Sequence, residues 1–139
     1  MNKQKGFTII ELIVVIAIIA VLAGIVLVNV TSYINKGKDA AVEGNLSSIL
    51  TNAAQYFDAN GNYTSVCSNA TVAAAMAASN TASGATATCT VKADNTAFCA
   101  CSVMKTAANT FCVDSTGTKK LYTNTSSCAT DCPAAGACL

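Results

Sequence analysis

The chain has no histidine, no arginine and a single proline, Pro133, in 139 residues. Each absence removes a class of function. Without histidine, and with its seven acids scattered, no nucleophile–base or general acid–base constellation assembles. The sequence therefore argues against an enzyme and calls for no cofactor. Asp58, Asp94, Asp114 and Asp131 read instead as turn and solubility residues. Without arginine, and with no basic patch interleaved with aromatics, nucleic acid binding has no support. No C-x-x-C pair occurs, which removes the dithiol redox motif. The eight aromatics are dispersed and give no basis for a conduction path.

What is present is unevenly distributed. Hydrophobic residues make up 53% of the chain and charged ones 11%, but the apolar excess sits in the first 30 residues. A short leader with Lys3 and Lys5 ends at Gly6, and an apolar run starts at Phe7. Positions 12–28 carry no charge. As a helix they extend roughly 25 Å, and residues 7–10 bring the run to membrane length. The lysines on the N-terminal side predict that this end faces the cytoplasm and that the rest faces outward. Removing the leader leaves six lysines against seven acids, so no strong field results.

Glu11 is the anomaly. A carboxylate near the start of a membrane-length helix costs several kcal/mol unless it is paired. A cut between Gly6 and Phe7 creates a partner, because Phe7 then gains a free α-amino group with Glu11 the fifth residue from the new end. The rival is an ordinary secretory signal peptide with Val21, Leu22 and Ala23 before the cut. The acid inside the apolar run, and its unbroken continuation to Val28, disfavour that rival.

The run Gly6, Phe7, Thr8, Ile9, Ile10, Glu11, Leu12 after a basic leader resembles the class III signal of type IV pilins and pseudopilins. The resemblance is dense over about the first 30 residues and holds in general character to about Tyr63. It does not reach the cysteine-rich half. It implies processing at Gly6 and Phe7, with cleavage and methylation of the Phe7 amine by a membrane prepilin peptidase. It further implies assembly through Phe7 and Glu11 into a helical homopolymer. By the same resemblance, the cytoplasmic membrane would hold the subunit before assembly, and an assembly ATPase and platform protein would move it to a surface pilus. Members of the family often carry a proline near the end of the apolar run, where this chain reads Val26, Leu27, Val28, Asn29.

Beyond the membrane-length run the helical pattern continues. Val30, Tyr33, Ile34, Ala41, Val42, Leu46, Ile49, Leu50, Ala53, Tyr56 and Phe57 recur in steps that mark one helix face. Lys36, Lys38, Asp39, Glu43, Asn45 and Asn52 fill most of the remainder. The spacing predicts one helix from about Thr8 to Ala59, stopped by Asn60-Gly61. Gly24, Gly37 and Gly44 are its weak points, either close-packed or places to bend. A loop is expected over 62–67, a short helix over 71–78, and strands over 86–93, 96–104, 110–114 and 120–123. Hairpin turns are expected at Asp94-Asn95 and at Ser115, Thr116 and Gly117. The Ala/Thr/Ser-rich stretch 70–90 also has the composition of an irregular loop. The expected division is a leader at 1–6, a membrane or filament-core helix at 7–30, its amphipathic continuation at 31–60, and a head at 61–139. The fold class is α+β, a long N-terminal helix packed on a small antiparallel sheet.

All eight cysteines, Cys67, Cys89, Cys99, Cys101, Cys112, Cys128, Cys132 and Cys138, lie in the outward-facing half. An even count in a small exported domain with few large aliphatics reads as a disulfide framework. Their pairing stays open among 105 possibilities. Cys99 and Cys101 share one side of any strand, and the last three pin a loose tail. Metal is the lesser alternative, since Cys128-x3-Cys132 is a loose spacing with no histidine to complete a ligand set. Sequons at Asn29, Asn45, Asn62, Asn69 and Asn124 are largely expected by chance in a chain rich in Asn, Ser and Thr. Three other roles remain open: a pseudopilin of a secretion or DNA-uptake system, a minor pilin, and a membrane-anchored cysteine-rich binding module that never polymerises.

Overall fold

The computed structural model describes residues 6–106, 108–123, 127–133 and 136–138. The leader lysines Lys3 and Lys5 and the sequon residue Asn124 lie outside the described residues. The chain falls into two compact units, one ending at Ile34 and the other beginning at Asn35. Helix α1 (Ile9–Asn60) contributes to both. No proline interrupts it, and it ends where Gly61, at φ +71°, donates its amide to the Phe57 carbonyl at 2.7 Å. A Cβ built on Gly24, Gly37 or Gly44 meets nothing within 4 Å among the described residues, so close packing against them does not explain those glycines.

The second unit is an α+β head. After α1 come a 3-10 turn (Val66–Ser68), helix α2 (Ala70–Ser83), and strands β1 (Thr88–Val91), β2 (Phe98–Val103), β3 (Thr110–Asp114) and β4 (Lys119–Tyr122). A short helix α3 (Cys128–Asp131) follows. The four strands form an antiparallel meander in chain order, with Thr88 opposite Cys101, Cys101 opposite Cys112, and Thr110 opposite Tyr122. Both expected hairpin turns are present. Asp94 accepts the Thr96 amide at 3.0 Å while Asn95 takes φ +58°. Asp114 organises the other turn, with Gly117 at φ +88°.

Two cores lie on opposite faces of the sheet. Val42, Leu46, Ile49 and Ala53, at helical spacing along α1, are fully buried against Phe98, Ala100, Phe111 and Val113. Tyr63, Val66, Val72 and Met104 complete this apolar core. The alternate residues of β2 and β3, Cys99, Cys101 and Cys112, face the other way and cluster with Cys128 and Cys132. Every residue of β3 is therefore buried, because helix covers one face and the C-terminal tail the other.

Several elements differ from expectation. Helix α2 runs from Ala70 to Ser83, longer than the expected 71–78, and leaves only 84–87 of the stretch 70–90 outside helix and strand. Asn69 caps its start by accepting the Thr71 amide, and Gly84 closes its end at φ +76°. Part of the expected loop at 62–67 is the 3-10 turn, whose Val66 reaches the apolar core. Strands β1 and β2 are each shorter at both ends than the expected 86–93 and 96–104. Helix α3 has only four residues, too few for a periodic signal.

Candidate functional site

The N-terminal end of α1 is built from local chemistry. The Thr8 carbonyl accepts the Leu12 amide at 3.3 Å, so Thr8 is the residue that opens the helix. Its hydroxyl accepts the Glu11 amide at 3.3 Å. Glu11 Oε2 in turn accepts the Thr8 amide at 2.8 Å and the Thr8 hydroxyl at 2.6 Å. This is a reciprocal capping box, Thr-x-x-Glu. Gly6 and Phe7 stand before it, outside the helix, and Phe7 is 80% exposed.

The sequence reading paired Glu11 only with a Phe7 amine and missed Thr8. The signal was available, since Thr8 and Glu11 stand at the box spacing. From within the box onward, the large apolar side chains from Ile9 to Leu27 remain between 46% and 79% exposed. The helix is long and apolar enough to cross a membrane by length and composition. Among the described residues nothing covers this surface, and an apolar area of this size calls for lipid or other chains as its cover.

In the head, the eight cysteines form four bridges: Cys67–Cys89, Cys99–Cys132, Cys101–Cys128 and Cys112–Cys138. Three of them fasten the tail to β2 and β3. Cys128 and Cys132, the loose metal spacing, belong to two different bridges. Cys67–Cys89 ties the 3-10 turn to β1 and is only half-buried.

Three acids read as surface residues are buried. Asp39, on the core side of α1, accepts the amides of Lys105 and Thr106 and the Thr106 hydroxyl, holding the β2–β3 loop to the helix. Asp131 accepts from the Thr110 hydroxyl. Asp114 does serve its turn, accepting from Thr116 and Thr118, but it also accepts the Cys138 amide at 2.9 Å and so anchors the tail. Each of these buried carboxylates accepts hydrogen bonds from the chain, the condition under which such burial is tolerated.

Burial by itself raises the Asp114 carboxyl. The Thr116 hydroxyl and the amides of Cys138, Thr116 and Thr118 outweigh it and hold the group below the usual carboxylate range. A depressed folded-state value stabilises above the unfolded value of about 4, and that stability is lost as pH falls through the folded value. Acid should therefore loosen the tail below about pH 4. Asp114→Asn should cost about 2 kcal/mol at neutral pH and flatten the acid limb. Asp94 is also held low, by Lys92 first and then Thr96. Comparing thermal melts of Asp114→Asn and wild type from pH 2 to 7 assigns the limb, and an unchanged pH slope would refute the assignment.

The pattern described as the prokaryotic N-terminal methylation motif matches residues 1–27. The type IV major alpha-pilin of Moraxella bovis is 53% identical over 47 residues, covering 34% of this chain and 30% of that protein. Fimbrial protein Q of the same organism matches to the same extent. Over this N-terminal segment the chain is similar to type IV pilins. A type IV wide pilus major component of Thermus thermophilus is 38% identical over 65 residues, covering 47% of this chain and 50% of that protein. The chain thus spans half or less of the length of these curated pilin relatives. No solved structure matches the chain.

Proposed function

We propose that the chain is the precursor of a structural subunit of a type IV pilus. The supporting observation is the exposed apolar surface from Ile9 to Leu27, which begins within the Thr8–Glu11 box, directly after Gly6 and Phe7. In this reading a prepilin peptidase cuts after Gly6 and methylates Phe7. Residues 7–30 hold the subunit in the cytoplasmic membrane. Assembly machinery then bundles these helices into a filament core, with the 31–60 continuation and the disulfide-bonded head outside. No step uses catalysis by the subunit itself.

The experiment is the N-terminus and intact mass of the protein in sheared surface filaments and in membranes. The expected result is a chain starting at methylated Phe7 in the sheared fraction. A chain retaining Met1, or starting at Gly24, would overturn the reading in favour of an anchored or secreted cysteine-rich domain. Electron microscopy of filament length separates a pilus from the short filament of a pseudopilin.

A further inference from the structure

The Thr8–Glu11 box does more than open a helix, because of what precedes it. A capping residue keeps its own backbone out of the helical region, while its carbonyl already accepts the first helical hydrogen bond. With Thr8 as the cap, the first carbonyl in the ladder is that of Thr8. The Gly6 carbonyl lies two residues earlier and outside the ladder. If Thr8 could not cap, the nearest competent residue would be Gly6, since glycine caps about as well as threonine and Phe7 does not cap. The helix would then begin two residues earlier, and the Gly6 carbonyl would accept the Ile10 amide.

We propose that Thr8 is a specificity-determining residue for cleavage of the Gly6–Phe7 bond, through the helix start that its box with Glu11 fixes. The inference rests on the processing reading above. Hydrolysis adds water across that bond, the hydroxyl going to the Gly6 carbonyl carbon and a proton to the Phe7 nitrogen. The carbonyl must be open to attack, and the peptide must be free to lie extended in the peptidase. Thr8 holds the boundary in place. Glu11 reinforces it by engaging both the amide and the hydroxyl of Thr8 through Oε2. Thr8 is thus a positioning residue that never touches the reacting atoms.

Three variants of the full precursor in detergent micelles test this. Each is mixed with the cognate membrane peptidase, and the rate of leader loss is read by mass. Carbonyl carbon shifts of Gly6 and Phe7 report where the helix starts. Thr8→Val keeps the shape and removes the cap. It should slow cleavage about fivefold, the factor for a cap worth ~1 kcal/mol, and move the Gly6 shift to the helical value. Thr8→Ser should restore both readouts. Thr31→Val makes the same change at a threonine outside the box, whose hydroxyl donates to the Leu27 carbonyl, and should be cut at the wild-type rate. Thr8→Val cut at the wild-type rate, or a helix that still starts at Ile9 in that variant, would overturn the proposal. A wild-type chain that the peptidase never cuts would overturn the processing reading, and the cleavage role with it. The shifts would still decide whether Thr8 sets the helix start, so the two failures are distinguishable.

Discussion

Full reduction is expected to unfold the head under conditions where the oxidised protein is stable. The reason lies in which face of the sheet each cysteine occupies. The apolar core between α1 and the sheet holds Val42, Leu46, Ile49, Tyr63, Phe98, Met104 and Phe111 with smaller residues between them. The opposite core consists largely of sulfur: Cys99, Cys101, Cys112, Cys128 and Cys132, with Tyr122 and Cys138 at its margin. Without bridges, the tail has little apolar surface of its own to hold it to β2 and β3. The bridges close stretches of 22 to 33 residues, for which the loop-entropy estimate is about 3–4 kcal/mol each. The Cys101–Cys128 loop is nested inside the Cys99–Cys132 loop, so the second to close adds less than the first. Even a discounted total is comparable to the 5–15 kcal/mol that small domains have in all.

The order of reduction follows from burial. Cys67–Cys89 is half-buried, whereas Cys99, Cys101 and Cys112 are inaccessible to solvent. Mild reductant should open Cys67–Cys89 first and lower the melting temperature modestly. Opening the remaining three should abolish the cooperative transition. Alkylation and peptide mapping at each step, alongside near-ultraviolet circular dichroism, read both. A fully reduced chain that melts as the oxidised one does would show that the sulfur core is dispensable.

Local signals in the sequence carried the elements, and the pairings depended on topology. The buried stripe Val42, Leu46, Ile49 and Ala53 is periodic within one helix, so it was readable. The two hairpin turns were readable because Asp94-Asn95 and Ser115, Thr116 and Gly117 carry turn chemistry in adjacent residues. The common side of Cys99 and Cys101 followed from strand alternation. Their partners, Cys132 and Cys128, did not, because the return path of the tail over the sheet sets them. The buried acids were misread for a similar reason. Asp39 belongs to a polar series along α1, and only the β2–β3 loop, more than 60 residues away, makes its position an interior one. Thr8 differs from these. Its partner is three residues off, and the omission came from seeking a charge partner for Glu11 while overlooking a neutral one.

Glu11→Gln is expected to give a subunit that is processed normally but enters filaments poorly. The substitution keeps the size of the side chain, and glutamine closes the same box with Thr8. What it removes is charge. In the structure only Oε2 of Glu11 is engaged among the described residues, by the Thr8 amide and hydroxyl. The other carboxylate oxygen has room for a second donor. Cleavage after Gly6 would supply one nearby as the Phe7 ammonium, and a neighbouring subunit would supply another. In the apolar core of a filament an ammonium without its carboxylate is an uncompensated buried charge, which costs about 3–5 kcal/mol. That is more than two decades in the equilibrium for adding a subunit, so filament yield should fall at least tenfold even if water relieves part of the cost. The same pair would fix axial register. Sliding one helix past another by a single turn, about 5.4 Å, separates the charges while leaving an almost uniform apolar surface in contact. Hydrophobic contact alone would tolerate such a slip, whereas the charge pair would not. Sheared filament yield from cells in which Glu11→Gln is the sole subunit measures the effect, with the mass of the membrane fraction as the control for processing. Filaments of wild-type yield and length from that variant would show that the charge is not needed for assembly, and Glu11 would then keep only its place in the box with Thr8.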